Sequence, residues 1–338
     1  MNDSNHTSPL GISKSAWLLM VCVVAVFVVS FMGRSWVQDL TNRPESDSSV
    51  ELSQTKYNRI VGLSPSNVET LFALGLGDKV VAVNRYTSFP AEAAELPKIC
   101  GMVDVDYEQL LLLKPDGVVM LDSQNSLLEK FGDLGIPTLS VTHDTVSGII
   151  DSFTEMAKFC GNETRASLLV EEINSHITAV KQQVVGKEKP RVLVCIHHSN
   201  DVAAPQQIVV CGSAGYHREL IEIAGGVNAY QGSVAFPKLS REKLIHLNPD
   251  IIIDLVNEKV SAGRTRESMV KQWDAYSELA AVKNKRVVIA DGAEHFMPGP
   301  RFLATLDVFA EGIHGVKVSR KGTMLKAFEN GEVLSDEP

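Results

Sequence analysis

The strongest constraint on this chain is an internal repeat. Asp106-Tyr-Glu-Gln-Leu-Leu-Leu-Leu-Lys-Pro-Asp-Gly-Val-Val-Met120 returns in register as Ser240-Arg-Glu-Lys-Leu-Ile-His-Leu-Asn-Pro-Asp-Ile-Ile-Ile-Asp254. In both copies the leucines recur at helical spacing, the residue before the proline is pushed out of the α region, and an apolar run follows as a buried strand. Each copy therefore predicts helix, sharp stop, strand. Asp106 and Ser240 are N-cap residue types, which puts Glu108 and Glu242 in a first helical turn near the surface of each lobe. A fainter echo precedes each copy, with Glu69-x-Leu71-x-x-x-Gly75 after Ile60–Leu63 and Glu219-x-Ile221-x-x-x-Gly225 after Ile208–Cys211. It predicts strand, loop, helix and glycine stop. Strands alternating with helices in both halves define an α/β fold of mostly parallel sheets covered by helices on both faces. At 338 residues the chain exceeds what one compact core holds, so two similar lobes are expected.

A composition of 44% hydrophobic and 22% charged residues is ordinary for a globular chain. The net charge of −9, with no basic patch and no DNA or RNA motif, argues against a nucleic-acid partner. The N-terminus is different, since Ala16 to Met32 carries no charge between Lys14 and Arg34. That run is membrane-targeting, and an uncleaved anchor is expected, with a cleaved signal as the alternative. Gly33-Arg-Ser35 is a poor small-x-small cleavage site, and Cys22 lacks the preceding small residue that lipoprotein processing needs. The resulting order is anchor or signal 1–34, polar linker 35–56, N-terminal lobe 57–160, connecting helix 161–187, C-terminal lobe 188–315 and an unassigned tail 316–338. The connecting helix follows from Asn162, a cap, and the run from Glu163 to about Val185, unbroken until Gly186. At about 1.5 Å per residue it is a strut over about 30 Å long, which limits how far the lobes close. In an oxidising compartment Cys100, Cys160, Cys195 and Cys211 form an even set that could hold disulfides. No Cys-x-x-Cys spacing occurs, and buried thiols are the expectation.

Arg59-Ile-Val-Gly-Leu-Ser-Pro-Ser66, the two Leu-x-Pro-Asp copies, Ala224-Gly-Gly-Val-Asn228, Trp273 with Ala281-Val-Lys-Asn284, and Met297-Pro-Gly-Pro-Arg301 occur in a telling order and spacing. Together they make the sequence resemble the extracytoplasmic substrate-binding proteins of ABC importers that carry cobalamin, ferric siderophores or haem, over about residues 57–315. The resemblance implies two Rossmann-like lobes joined by a backbone helix. It implies a ligand cleft built from loops at the C-terminal ends of strands, where open α/β sheets bind ligands generally. The corresponding ligand residues are Ser64, Ser66, Tyr86 and the loop Met102 to Asp104 from the first lobe, and Phe236, His295, Phe296 and Arg301 from the second. Aromatic side chains there would stack on a flat macrocycle, while Arg301 would hydrogen-bond a carboxylate or amide. Glu108 and Glu242 correspond to the pair that docks on arginines of the permease, where exposed carboxylates steer and register the encounter. The implied partners are an ABC permease dimer with its ATPase subunits and the membrane through the N-terminal helix, the receptor itself acting as a monomer. The implied ligand is a cobalt or iron chelate, namely a cobalamin or other corrinoid or a ferric siderophore, with haem or a bare transition metal as alternatives. No catalytic cofactor is expected.

Four histidines are metal-ligand candidates: His143 after a first-lobe strand, His198 in Cys195–Asp201, His217 beside Tyr216, and His295. No His-x-His or His-Glu-x-x-His pattern occurs, and scattered surface histidines are expected. The competing class is a membrane-anchored α/β hydrolase or transferase. Against it, Cys211-Gly-Ser-Ala-Gly215 has a cysteine where a nucleophile elbow needs glycine, neither phosphate-binding glycine motif occurs, and Glu108 and Glu242 belong to opposite lobes. A third class is a sensor or structural anchor with no transporter. The reading is a receptor that performs no chemistry and moves little at its hinge.

Overall fold

The computed structural model describes residues 57–199, 204–257, 261–320 and 322–331. The expected anchor 1–34, the linker 35–56 and the end of the tail, 332–338, lie outside the described residues. Among those described, no helix is long and apolar enough to cross a membrane.

Apolar β-branched runs build two sheets. The first contains β1 (Ile60–Gly62), β2 (Val80–Asn84), β3 (Lys98–Cys100), β4 (Gly117–Leu121) and β5 (Thr138–Val141) in the order β3-β2-β1-β4-β5, all parallel. This is a doubly wound order, with the strand sequence reversing direction at β1. The second contains β6 (Arg191–His197), β7 (Val209–Val210), β8 (Val227–Asn228), β9 (Ile251–Val256) and β10 (Val287–Asp291). Here β10, β9, β6 and β8 are parallel, whereas β7 runs antiparallel to β6. The helices that place the site are α1 (Pro65–Ala73), α2 (Tyr107–Leu112), α3 (Val146–Cys160), α4 (Glu163–Val184), α5 (Tyr216–Ile223), α6 (Arg241–Leu247), α7 (Phe302–His314) and α8 (Thr323–Glu329).

The repeat read from the sequence is structural down to its hydrogen bonds. Asp106 accepts from the Gln109 N–H at 3.0 Å and Ser240 from the Lys243 N–H at 3.2 Å, so each caps its helix, α2 or α6. Both helices stop on a left-handed residue before proline, Lys114 with φ 47° and Asn248 with φ 40°. The proline does expel its predecessor from the right-handed region, but into the left-handed helix stop rather than an extended strand entry. The aspartate after each proline then clamps the start of the neighbouring strand. Asp116 accepts from the backbone N–H of Asn58 and Arg59, and Asp250 from that of Arg191 at 2.8 Å. Gly75 and Gly225, at φ 71° and 81°, end the loops after α1 and α5 where a side chain would be strained. One part of the echo is corrected. Ile208–Cys211 is not the counterpart of the whole opening strand, because β6 carries that role and β7 is its short antiparallel return, a hairpin-like addition absent from the first half.

Between the sheets in chain order lies α4, whose boundaries match the sequence reading. Its predicted cap does not act as one. Asn162 turns its amide away to donate to the Leu74 carbonyl at 2.7 Å, tying the helix start to the end of α1. The tail, unassigned from sequence, folds back as α8 against α1 and α4. Leu325 and Phe328 are buried, the Glu172 carboxylate of α4 accepts from the Met324 and Leu325 N–H groups, and Arg320 grips Asp307 at 2.7 and 2.9 Å and also Glu329. One continuous apolar cluster runs through both halves, from Ile60, Leu71 and Phe153 through Ile173 to Ile253 and Phe309. Cys100, Cys160, Cys195 and Cys211 are all buried free thiols. Burial raises the Cys100 thiol to about 11 and the Cys160 thiol to about 12, so both are inert at neutral pH.

Candidate ligand site and lobe junction

Because the strands within each sheet are nearly all parallel, their C-terminal ends gather loops on one edge. In the first half these are the segments after β2 and β3, and in the second the segment after β8. A buried asparagine organises each. Asn84 donates to the carbonyls of Leu63, at 3.1 Å, and Gly101, while its Oδ1 accepts from the Tyr86 N–H at 2.8 Å. Asn228 donates to the carbonyls of Cys211 and Gly212 at 3.1 and 2.7 Å, and its Oδ1 accepts from the Tyr230 N–H at 3.0 Å. The same knot is tied twice by Val83-Asn84-Arg85-Tyr86 and Val227-Asn228-Ala229-Tyr230. Sequence reasoning missed this repeat, although Val-Asn-x-Tyr in two equivalent places was there to be found.

The asparagine knots leave large apolar side chains in solvent. Tyr86, after β2, is 60% exposed, and Met102 and Val103, after β3, are exposed as well; in the other half Phe236 is 54% exposed, with Val234 close to it in the chain. Asp104 is exposed as well. One carboxylate oxygen accepts from the Gly101 N–H at 2.9 Å, and the other meets Arg85 at 2.6 Å. Backbone N–H groups, its own first, and then the Arg85 charge hold this carboxyl below the ordinary carboxylate range.

The other sequence-predicted ligand residues are placed differently. Ser64 and Ser66 are buried, and Ser64 caps α1 by accepting from the Asn67 N–H. Ser66 is 3.2 Å from His143 Nδ1, whose Nε2 is 3.0 Å from Ser152. The Ser152 hydroxyl donates to the Ile149 carbonyl, so it accepts from His143 Nε2–H and leaves Nδ1 to accept from Ser66. Burial depresses His143 to about 4, which keeps this chain neutral. Phe296 is half-buried against the shared core. His295 is buried. Its ring meets Thr305 at 3.1 Å, and its carbonyl accepts from His217 Nε2–H at 3.0 Å and from the Tyr216 hydroxyl.

Arg301 is not free to meet a ligand carboxylate. Its guanidinium holds the Glu69 carboxylate in a two-pronged pair at 2.7 and 3.0 Å, lies 3.9 Å from the Phe89 ring centre, and sits 3.7 Å from Glu294. Burial raises Glu69 against the pull of Arg301; burial likewise opposes the Arg301 charge, yet the Glu69 hydrogen bonds and charge raise Arg301 overall. The repeat supplies a second brace in the opposite direction. Glu219, the counterpart of Glu69, accepts from the Val146 N–H at the start of α3 at 2.9 Å. Each half thus sends one glutamate into the other.

The expectation of surface histidines is overturned. His143, His198, His217 and His295 are all buried, because each has a hydrogen-bond partner that offsets the loss of water. His198 Nε2 lies 3.0 Å from Asp254, which also accepts from Trp273 Nε1 at 3.0 Å. Burial lowers His198, but the Asp254 hydrogen bond and charge outweigh it and raise the ring above its ordinary value. Burial brings His217 to about 4. Among the described residues no three His, Cys, Asp or Glu side chains converge as a metal site would require. Glu108 and Glu242 are exposed in the first turns of α2 and α6.

The sequence matches the periplasmic binding protein family over residues 60–293. It is 28% identical to an uncharacterized ABC transporter substrate-binding lipoprotein of Bacillus subtilis over 76% of this chain and 80% of that one. It is 25% identical to the vitamin B12-binding protein of Vibrio parahaemolyticus over 81% of this chain and 95% of that one. Among solved structures, the periplasmic vitamin B12 binding protein of Vibrio cholerae superposes with a TM-score of 0.62 at 24% identity, covering 81% of this chain and 98% of the other. The periplasmic haem-binding protein HutB of Vibrio cholerae gives 0.65 at 22% identity, covering 76% and 98%. These two likenesses concern the fold.

Proposed function

The chain belongs to the periplasmic binding protein family, and from that premise we propose that it is the substrate-binding component of an ABC importer. It works outside the cytoplasm, anchored or secreted, and hands a cobalt or iron chelate to a permease dimer driven by ATPase subunits. It catalyses no reaction. The lobes are 57–160 and 188–315, with 161–187 as the strut between them.

The observation that carries the ligand reading is the apolar rim: Tyr86, Met102 and Val103 on one half, Val234 and Phe236 on the other, all more than half exposed. Large apolar side chains on loops at the C-terminal edge of α/β sheets are where a flat ligand is held, and their exposure has no packing rationale in the free protein. The ion pair beside Tyr86, Arg85 with Asp104, is net neutral, which suits a weakly charged macrocycle such as a corrinoid better than a highly anionic siderophore. Tyr86, Asp104 and Phe236 are thus the ligand residues of our reading, while Ser64, Ser66 and His295 are bonded within their own halves and Arg301 ties the two together. A haem reading has one observation in its favour, the exposed Tyr86 phenol, a group able to ligate haem iron. The reading of Glu108 and Glu242 as the permease contacts rests on their in-register exposure in both repeats.

Titration calorimetry with cyanocobalamin tests the proposal. One-to-one binding between about −12 and −8 kcal/mol, nanomolar to micromolar, is expected. Absence of heat with cyanocobalamin, followed by tight binding of haemin or a ferric siderophore, would replace the ligand and keep the receptor. No binding of any of the three would sink the chelate reading.

A further inference from the structure

We propose that the docking surface is composite, with an exposed apolar patch one turn beyond each docking glutamate: Leu111 and Leu112 on the first half, Ile245 on the second. This rests on the reading of Glu108 and Glu242 as permease contacts. From Glu108 to Leu112 and from Glu242 to His246 the two short helices share one burial pattern in register. Leu110 and Leu244 face the core, whereas Leu111, Leu112 and Ile245 are 49%, 81% and 37% exposed. Residues three and four apart share a helix face, so Leu111 and Leu112 stand beside Glu108, and Ile245 beside Glu242. A face that meets only water gains nothing from large aliphatic side chains at equivalent positions of two helices. Instead both copies keep a large aliphatic next to an exposed carboxylate.

The occupant that fits is a permease dimer whose two subunits each present a cation next to an apolar strip. Two equivalently placed patches on a pseudo-symmetric receptor complement a partner with two equivalent faces. A rim charge steers and registers the encounter, but desolvated aliphatic contacts slow its release. The patches are unequal. Two leucines on α2 against one isoleucine on α6 make the first half the tighter contact and the second the one that lets go first. On the second half the position matching Leu112 is His246, which is exposed and polar.

The test replaces, one at a time, Leu111, Leu112, Ile245, Glu108, Glu242 and, as a distant control, the exposed Leu168 of α4 with a photo-reactive phenylalanine in the full chain in its host cells. Covalent adducts are then identified by mass spectrometry. Adducts with a multi-span permease subunit at all the docking positions and not at Leu168 are expected. Adducts at Glu108 and Glu242 alone would overturn the apolar patch and leave the docking reading intact; no permease adduct at any position would sink both. Adducts with a second copy of the receptor, or with lipid, at Leu111, Leu112 or Ile245 would give the patch another occupant and refute the proposal. As a quantitative arm, Leu112→Asp should slow uptake of labelled cyanocobalamin about tenfold, and Ile245→Asp less. Both should melt like wild type and bind cyanocobalamin unchanged, because neither side chain is buried. Equal, negligible effects on uptake would refute it.

Discussion

Arg301 separates two accounts of this molecule, ligand contact or lobe junction, and its removal distinguishes them by magnitude. Arg301→Ala leaves the buried Glu69 carboxylate without the guanidinium that supplies its two short hydrogen bonds, and with Glu294 as its charged neighbour. Removing one partner of such a pair costs about 3–5 kcal/mol. Loss of the contact with the Phe89 ring adds about 0.5–2 kcal/mol. At about 2–4 °C per kcal/mol for a unit near this size, melting should fall by at least about 6 °C. The deficit should also depend on pH. Burial already raises Glu69 above 4.5, and without Arg301 nothing pulls it back. The native variant then holds a proton that its unfolded state releases, so its stability falls as pH rises from about 4.5 and the deficit shrinks in acid. Urea denaturation of wild type, Arg301→Ala, Glu69→Gln and the double variant, at about pH 7.5 and about pH 5, measures all of this. A coupling energy of about 2 kcal/mol or more is expected between the two sites. Stability within about 1 kcal/mol of wild type, together with a tenfold or greater loss of chelate affinity, would refute the junction and restore Arg301 to the ligand.

Three further outcomes follow from the same structure. His143 and His217 are buried neutral at about 4, against an ordinary 6.5, so each contributes stability that is intact above about pH 6.5 and lost as pH falls toward 4, about 3 kcal/mol per ring; His198, raised by Asp254, works in the opposite sense. Urea midpoints between about pH 7 and about pH 4.5 should therefore drop steeply, His143→Gln should flatten the slope, and a flat wild-type profile would contradict the assignment. Phe328→Ala should cost about 3–5 kcal/mol by chemical denaturation, because its ring is buried and meets Phe89 edge-on at 5.2 Å, and a neutral result would mean the tail does not hold α8 against the junction. Asn84→Ala and Asn228→Ala should each cost about 2–4 kcal/mol by the same measurement, since each strands buried carbonyls and a backbone N–H, and unequal results would break the equivalence of the two knots.

What the sequence made legible, and what it hid, follows from one distinction. A repeat reports which positions play the same local role, so the caps at Asp106 and Ser240, the sharp helix stops before Pro115 and Pro249, though not their left-handed form, and the helix Glu163–Val184 could be read from neighbours in the chain. The α/β layering came with them, because the hydrophobic alternation of each half is local too. A repeat does not report unlike partners drawn from elsewhere. Glu69 and Glu219 stand out as equivalent in the sequence, yet one meets a guanidinium and the other a helix-start N–H, both supplied by the opposite half. Arg301 therefore read as a free donor for ligand, and Asn162 as a cap, until the elements that claim them were in place. The histidines misled for the same reason, since polarity predicts exposure only until burial is offset by a partner such as Asp254, Ser152 or the His295 carbonyl. The side chains most useful for function are the reverse case. Tyr86, Phe236, Leu112 and Ile245 resemble core residues by composition; the resemblance names the first two, whereas the exposure that supports the roles proposed for all four belongs to the folded chain.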